Sequence, residues 1–563
     1  MKLTRSDVIV LSIFFLFLCG GAYYLYDYYS RLGYGSDATM MPFDEKTFSR
    51  LQNIVLNSPV EHNIPNRECY RISQNVKQTD SPEKITASVQ NAINECSLGG
   101  GGRIVIDRGS WIIQSLLLKN HIDFSIEEGS EILFDENILS YPTSVPYRFE
   151  GIRTNMSQPL LYGFECEDVK ISGKGSIRGN EKAWLKYAES EKYWFEFLYQ
   201  ESEEREKVEN RTQYSLKDTM AFRPDMIGFS FCSNISVEGV TLENSPRNSI
   251  RALFSNKMLF QDLIIKVNSL DGDAVVLDSS SNILYSGGKI QSEKGDGIVF
   301  QSGLDAEGRA MDENPLQNIR IQNVDILQSR NAIHIDRAMS GGMNRIVTKD
   351  IHIYETVNGI ATSLPSGIGG SLRHFLFQNI KMDTVFENAI FMDLSSSEDD
   401  MRLRSKETKK EDVRLRDIFF VNVQAYSKNN AMTLKNFYPK NGNVLRNSFF
   451  YFKNIDVASP NGSFFQGLHQ SLFEGILSKG IGVDNENPSL KIMDSLNIFF
   501  STLDCEKEVS KDCLEFSGTN QRILFSDPVL KENVMLYPRI INKEEKTSKQ
   551  EGIIEEDPDQ EVD

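Results

Sequence analysis

Histidine and cysteine are scarce in this chain, six and seven among 563 residues. The cysteines nowhere take the spacing of a zinc site, and no grouping of histidines and carboxylates marks a metal centre. A calcium-dependent lyase needs more clustered carboxylates than the sequence offers, so no cofactor is expected. Positive charge is also in deficit. Sixty-one Lys and Arg against 79 Asp and Glu give a formal net charge of −18, which argues against a surface built to meet nucleic acid. The composition, 40% hydrophobic and 25% charged, excludes a disordered, collagen-like or disulfide-dense small protein.

Val8 to Tyr26 form 19 uncharged positions preceded by Lys2 and Arg5, close to the ~20 residues that cross a bilayer as a helix. The flanking charges keep the N-terminus inside and send the body out of the cytoplasm. A membrane anchor is therefore expected over residues 1–34, with a cleaved signal and secretion as the alternative, since Gly20 and Ala22 are small residues at cleavage-compatible spacing. Six cysteines follow the anchor in what would be an oxidising compartment. Cys505 and Cys513 are the nearest pair in sequence and the expected disulfide. Cys96, Cys166 and Cys232 lie in apolar-patterned stretches and read as small buried hydrophobes.

From about residue 100 a short strand phrase recurs with Asn or Asp near its start: Asn234-Ile-Ser-Val, Asn282-Ile-Leu-Tyr, Asn318-Ile-Arg-Ile, Asp350-Ile-His-Ile and Asn379-Ile-Lys-Met. Starts at 234, 256 and 282 are 22 and 26 residues apart, too close for a strand–helix–strand unit but suited to a coil of three short strands. This spacing predicts an all-β solenoid, a single-stranded right-handed parallel β-helix whose turns carry the binding face. Helical spacing of Ile85, Val89, Ala92, Ile93 and Cys96 predicts a helix over 81–96 that caps the open end. Residues 184–213 read as a helical insert that roofs the binding face or shields the core, and 398–416 as an exposed charged loop. The expected organisation is an anchor (1–34), a lead-in (35–74), the β-helix (75–480), a C-terminal cap region (481–542) and an acidic tail. That tail, 543–563, holds nine acids against three lysines and is expected to be disordered.

Several phrases, in order, resemble glycoside hydrolase family 28, the polygalacturonases, and within it the bacterial exo-acting and rhamnogalacturonan-type branch. They include Gly99 to Gly102 with Arg103-Ile-Val-Ile, Arg148-Phe149-Glu150-Gly151, Pro159-Leu-Leu-Tyr162, Ile171-Ser-Gly-Lys-Gly175, Val240-Thr-Leu-Glu-Asn-Ser-Pro246, Ser302-Gly303 and Met339-Ser-Gly-Gly342. The resemblance spans about 75–395 and implies a pectin lyase-like β-helix and inverting hydrolysis of a polysaccharide. It also implies catalytic positions. Anchored on Asp278-Ser279, the family's first acidic phrase falls on Asp271-Gly272-Asp273, making Asp273 one catalytic carboxylate. Anchored on Ser302-Gly303, the second falls on Lys294-Gly295-Asp296, making Asp296 another, while Gly295 stands where the family has the aspartate that is usually the general acid. A one-residue slip would make Asp296 that first aspartate; either way one carboxylate is missing, with Asp271, Glu293 or Asp336 as possible substitutes.

Arg330 falls where the family has a histidine, and Ala361 and Ser363 where it has the Arg and Lys that clamp the sugar carboxylate. Arg247, Asn248 and Arg251 replace aromatic and histidine positions, and Arg337 lies just past Arg330. The four arginines 247, 251, 330 and 337 are expected to contact an anionic sugar, because the guanidinium fork suits a carboxylate. Asp273 and Asp296 are 23 residues apart, about one coil, so both can face one cleft. A turn aspartate beside glycine more often only satisfies backbone N–H groups. His334 alternates with Ile333 and Ile335 and forms a polar trio with Asp336 and Arg337. The expected function is thus a catalytically divergent, polygalacturonase-like hydrolase of an acidic or decorated polysaccharide, monomeric and tethered to the membrane. The alternatives are a glycan-binding protein that kept the cleft without catalysis, or an adhesin-like solenoid.

Overall fold

The computed structural model describes residues 45–53, 60–204, 207–208, 211, 222–268, 271–310, 314–365, 367–394, 413–435, 449–480, 489–501, 503–504, 514–518 and 520–525. The expected anchor over Val8 to Tyr26, the tail, and Cys505 and Cys513 lie outside these residues. Among the described residues no helix is long and apolar enough to cross a membrane.

The chain winds into a parallel β-helix with three sheets along its length. One sheet runs through Leu161–Phe164, Ile227–Ser230, Ile250–Leu253, Val275–Asp278, Ile298–Gln301 and Asn331–Ile335, each strand in register with the next. Long strands such as Asn256–Val267 and Ser281–Ser292 turn a corner and serve the other two sheets in succession. The coils begin with Glu68–Arg71, which pairs Gly102–Ile106, ahead of the expected start at 75. They continue through Gln521–Phe525, inside the region expected to be a cap.

The recurring Asn and Asp mark corners. Asn234, Asn282, Asn318, Asp350 and Asn379 all have φ between 55° and 58°, the left-handed region that these two residue types tolerate best. They belong to two corners rather than one. Asn234, Asn282 and Asn318 stand at the entrance to one sheet, and Asp350 and Asn379 at the bend between the other two. Stacked corner side chains bond to each other: Asn318 Nδ2 donates to Asn282 Oδ1 at 3.0 Å and Asn282 Nδ2 to Asn256 Oδ1 at 2.7 Å.

Inward side chains of all three sheets form one continuous apolar core. Strand spacing of about 4.8 Å also matches the spacing of stacked rings, so Phe377, Phe420, Phe452, Phe473 and Phe500 form a column with centroids 4.7–4.9 Å apart. The helix expected over 81–96 spans Pro82–Leu98, with Ser81 accepting from the Lys84 N–H, Pro82 in the first turn, and Ile85, Val89, Ile93 and Cys96 buried. Cys96 is not a lone buried hydrophobe, however. It forms a disulfide with Cys69 and so fastens the helix to the first strand. Truncation of the aromatic column, Phe452→Ala, leaves a cavity between two ring neighbours and is expected to cost ~3–5 kcal/mol, read as a lowered midpoint in urea unfolding.

Candidate active site

The sheet carrying Asn331–Ile335 exposes three rows of side chains. Inward positions such as Ile298, Phe300, Ile333 and Ile335 enter the core, so Arg251, Val276, Val299 and His334 form one outward row and Leu253, Asp278 and Gln301 another. A third row stands where the chain enters each strand and is built by side chain to neighbour bonds. Asn248 Nδ2 donates to Asp225 Oδ1 (2.8 Å), the Asp273 N–H to Asn248 Oδ1 (2.9 Å), the Asp296 N–H to Asp273 Oδ1 (2.8 Å) and Asn331 Nδ2 to Asp296 Oδ1 (2.9 Å). Asn358, Asn388 and Asn430 continue the row. Asp273 and Asp296 are thus consecutive rungs of an otherwise largely amide ladder.

Stacking two carboxylates drives their protonation apart. Burial, and then the negative charge of Asp296, push Asp273 up to about 7. Burial acts in the same direction on Asp296, yet His334 and Arg330 outweigh it and hold that carboxyl well below the usual range. Arg330 grips it with both arms, Nε to Oδ1 and Nη2 to Oδ2, each at 2.9 Å. The His334 Nδ1 lies 2.6 Å from Oδ2, and the Asn331 N–H reaches Oδ1 at 3.1 Å. His334 is raised in return: burial opposes its charge, but Asp296 more than compensates.

The four arginines expected to contact an anionic sugar are all engaged within the protein. Arg251 is 1% exposed, with Nε on Asp225 Oδ2 (2.9 Å) and Nη1 shared between Gln301 (2.9 Å) and Asp278 (3.4 Å). It welds the sheet face and offers nothing to a ligand. Arg247 lies over the Phe149 ring and donates to Glu150. Arg337 packs on Phe195, and its charge acts on Glu150 and Asp336. Arg330 alone among the four has a mostly open face, 52% of its side chain.

Glu150 is a site residue that sequence reasoning noted only as part of a phrase. It sits at φ +46° in the tip of the antiparallel hairpin formed by Val145–Phe149 and Ile152–Met156. Gly151 follows at φ +83°, and a Cβ there would stand 2.6 Å from that of Ala338 and 2.8 Å from the Leu304 nitrogen. That close approach seats the hairpin on the sheet and brings Glu150 towards Asp273 and Asp336, whose protonation its charge favours. Burial raises Asp336 first, and it accepts from Gln301. Glu150 itself is kept ionised, since Arg247 and Arg337 outweigh its burial. An acidic residue directly before a glycine, Glu150-Gly151, was the available signal. The helical insert expected over 184–213 appears as Glu181–Trp184 and Ala188–Glu203 and walls this flank. Phe195, Leu198 and Tyr199 pack with Phe149 and Phe222, and Glu191 binds buried Arg223, which also holds Asp271.

A second polar constellation lies on a neighbouring sheet, where Ser236 Oγ is 2.7 Å from His62 Nε2 and His62 Nδ1 is 2.9 Å from Asp168. The connectivity is that of a nucleophile, base and orienting acid. Its serine is wholly buried, though, and its strand is paired on both sides, so the arrangement fastens the segment around His62 to the flank of the coils. Among the described residues no cluster of three or more His, Cys, Asp or Glu is placed to hold a metal.

The sequence profile described as Glycosyl hydrolases family 28 matches residues 148–463, more than half of the chain. The chain belongs to this family. Relatives of this family 28 protein include a probable polygalacturonase from Vitis vinifera, 24% identical over 53% of this chain and 58% of that one. A probable exopolygalacturonase B from Aspergillus terreus is 24% identical over 38% and 42%. The chain thus spans less than two thirds of either relative's length. Among solved structures it superposes on a hyperthermoactive exopolygalacturonase from Thermotoga maritima with TM-score 0.62 and 20% identity, covering 85% of this chain and 96% of that one. A family 28 exopolygalacturonase from Yersinia enterocolitica gives 0.58 and 16%, covering 82% and 78%. These likenesses are of fold.

The geometry bears directly on position 295. A Cβ on Gly295 would stand 1.9 Å from the carbonyl oxygen of Gly272 in the coil below, so no side chain fits without the backbone opening. Ala361 pairs with His334 in the outward row and is buried. Gly295→Asp is therefore expected to lose ~1–3 kcal/mol of stability through overpacking and to gain no activity over the unaltered protein. Thermal melting together with reducing-end release checks both halves of this expectation.

Proposed function

We propose that the chain is a polygalacturonase-like glycoside hydrolase, catalytically divergent, that cleaves an acidic or decorated polysaccharide by inverting hydrolysis. The observation that carries this reading is the bond from the Asp296 N–H to the Asp273 carboxyl, which sets the two groups on adjacent coils of one outward face. Inverting hydrolysis requires a protonated acid for the leaving oxygen and a carboxylate for the attacking water. Asp273, protonated up to about pH 7, is the proton donor, and ionised Asp296 orients the water. Asp296 is a weak base in this state because Arg330 and Asn331 hold its lone pairs and the charge of His334 favours its ionised form. A uronate carboxylate competes for the half-exposed Arg330 fork, so an acidic sugar both binds there and loosens Asp296. Membrane tethering through residues 8–26, with the body outside the cytoplasm, is part of the same reading. The Cys69–Cys96 disulfide supports an oxidising compartment.

A second reading, a glycan-binding protein without catalysis, is favoured by one feature: the closed Arg330–Asp296 pair in a site with no room for an acid at 295. Reducing-end release from acidic and neutral polysaccharides separates the two. Asp273→Asn keeps the acceptor for the Asp296 N–H but removes the proton, and is expected to lose ~10²–10⁴ of the rate, with Asp296→Asn comparably impaired. Retention of glycan with no release by the unaltered protein would establish the binding reading instead.

The pH dependence has a definite sign. Activity requires protonated Asp273 and falls as pH rises through about 7. The stability contributed by a raised carboxyl runs the same way, full below the unfolded value near 4 and lost as pH passes about 7. The melting temperature should therefore fall as pH rises from about 4 to about 7 in the native protein, and fall less steeply in Asp273→Asn, where the raised His334 and Asp336 still titrate. Arg330→Ala is expected to reduce affinity for acidic polysaccharide at least tenfold while leaving neutral glycans unaffected, measured by retention on immobilised substrate.

A further inference from the structure

We infer that Cys166 and Cys232 are joined by a second disulfide in the mature protein. The two residues follow successive strands of the candidate-site sheet, Leu161–Phe164 and Ile227–Ser230, and lie one above the other on adjacent coils. Register fixes this: Glu167 pairs with Ser233, and the Ser233 N–H donates to the Cys166 carbonyl at 2.9 Å. Stacked coils rise about 4.8 Å, inside the ~4.4–6.8 Å window of Cα separations that a disulfide spans. Both side chains are buried, 3% and 2% exposed, and their sulfurs stand 2.7 Å apart. Two unbonded sulfurs do not rest so close, whereas a bond at about 2.0 Å needs only a small further approach. The Cys166 sulfur packs close to Gly163, where a Cβ would stand 2.8 Å from it.

The bond would close a loop over residues 167–231. That loop carries the helices Glu181–Trp184 and Ala188–Glu203 and Arg223, the parts that wall the cleft and hold Asp271. The cross-link therefore ties the insert's two ends to neighbouring coils at the edge of the site. Formation is an oxidation by thiol–disulfide exchange. The Cys166 thiolate attacks a protein or small-molecule disulfide and releases one thiol. The Cys232 thiolate then attacks that mixed disulfide and releases the second, so the pair loses two electrons and two protons and the oxidant gains them as two thiols. Burial of both sulfurs places this step before the coils close, during folding.

Peptide mapping of the full-length chain, expressed in an oxidising compartment and alkylated under denaturing conditions without reductant, tests the inference. The expected result is a cross-linked peptide pair holding Cys166 and Cys232, about 2 Da lighter than the two thiol peptides together, with neither residue alkylated. Alkylation of both, or linkage of either to another cysteine, would overturn it. Cys166→Ser provides a second reading. It should leave Cys232 alkylatable on denaturation with Cys69–Cys96 intact, and lower the melting temperature by several degrees. A variant that melts like the native protein, with Cys232 already alkylatable in the native chain, would also overturn the bond. None of these outcomes depends on catalysis, so the inference stands or falls separately from the proposed function.

Discussion

The coil rise of about 4.8 Å is the constraint from which the rest of this structure follows. In a parallel β-helix every residue lies directly over its counterpart one coil earlier, so whatever occupies one rung must be compatible with the same chemistry at van der Waals distance above and below. Amides satisfy this well, because an Asn can donate upward and accept from beneath, as the run from Asn331 to Asn430 does. Flat rings satisfy it by stacking, as the phenylalanine column does. Carboxylates do not. Where Asp273 and Asp296 take consecutive rungs, one proton or one cation must intervene, and the structure uses both: a raised pKa on the first and an Arg330–His334 grip on the second.

The same rule explains why the hairpin matters. Asp225 and Asp278 also face outward, and they are neutralised by Arg251 from the sheet and by Arg148 from the hairpin, whose Nη1 reaches Asp278 at 2.5 Å and Ser279 at 2.8 Å. All four side chains are fully buried. Alternating two arginines with two aspartates leaves no net charge under the hairpin, which is what a buried ionic cluster needs to be tolerated. Removing one member strands its partner in a low-dielectric setting. The hairpin is therefore fixed by charge as well as by the packing of Tyr147, Phe149, Ile152 and Met156. Its tip holds Glu150 over the rung that matters most.

Much of this was legible in the sequence, for reasons that separate local from non-local information. Corner residues are chosen by backbone conformation, so Asn234 and Asn282 announced their corners, and the apolar alternation between them announced the core. That Asp350 and Asn379 belong to a different corner was not legible, because both corners select the same residue types. The carboxylate pair was found by motif and spacing. The charge state of each group was not, since it depends on Arg330 and His334 arriving from the next coil. Arg251 illustrates the limit: its type and position suggested a ligand contact, but its partners Asp225 and Gln301 come from coils on either side. Cys96 failed similarly, as its partner Cys69 lies in a segment with no strand signal of its own.

On the proposed reading, the cleft is a family face rewired around a missing acid. With Gly295 packed against the Gly272 carbonyl, the coil cannot carry a side chain at that position without the backbone opening. The remaining carboxylates then face an unequal choice. Asp296 is buried and gathers the cations, so it is held ionised. Asp273, half-buried and next to that fixed negative charge, becomes the group that holds a proton at neutral pH. A site that lost its acid by substitution alone would keep two ionised aspartates and only repel an anionic sugar. Here the proton and the exposed Arg330 face both favour an anionic ligand, which is what the proposed reading requires.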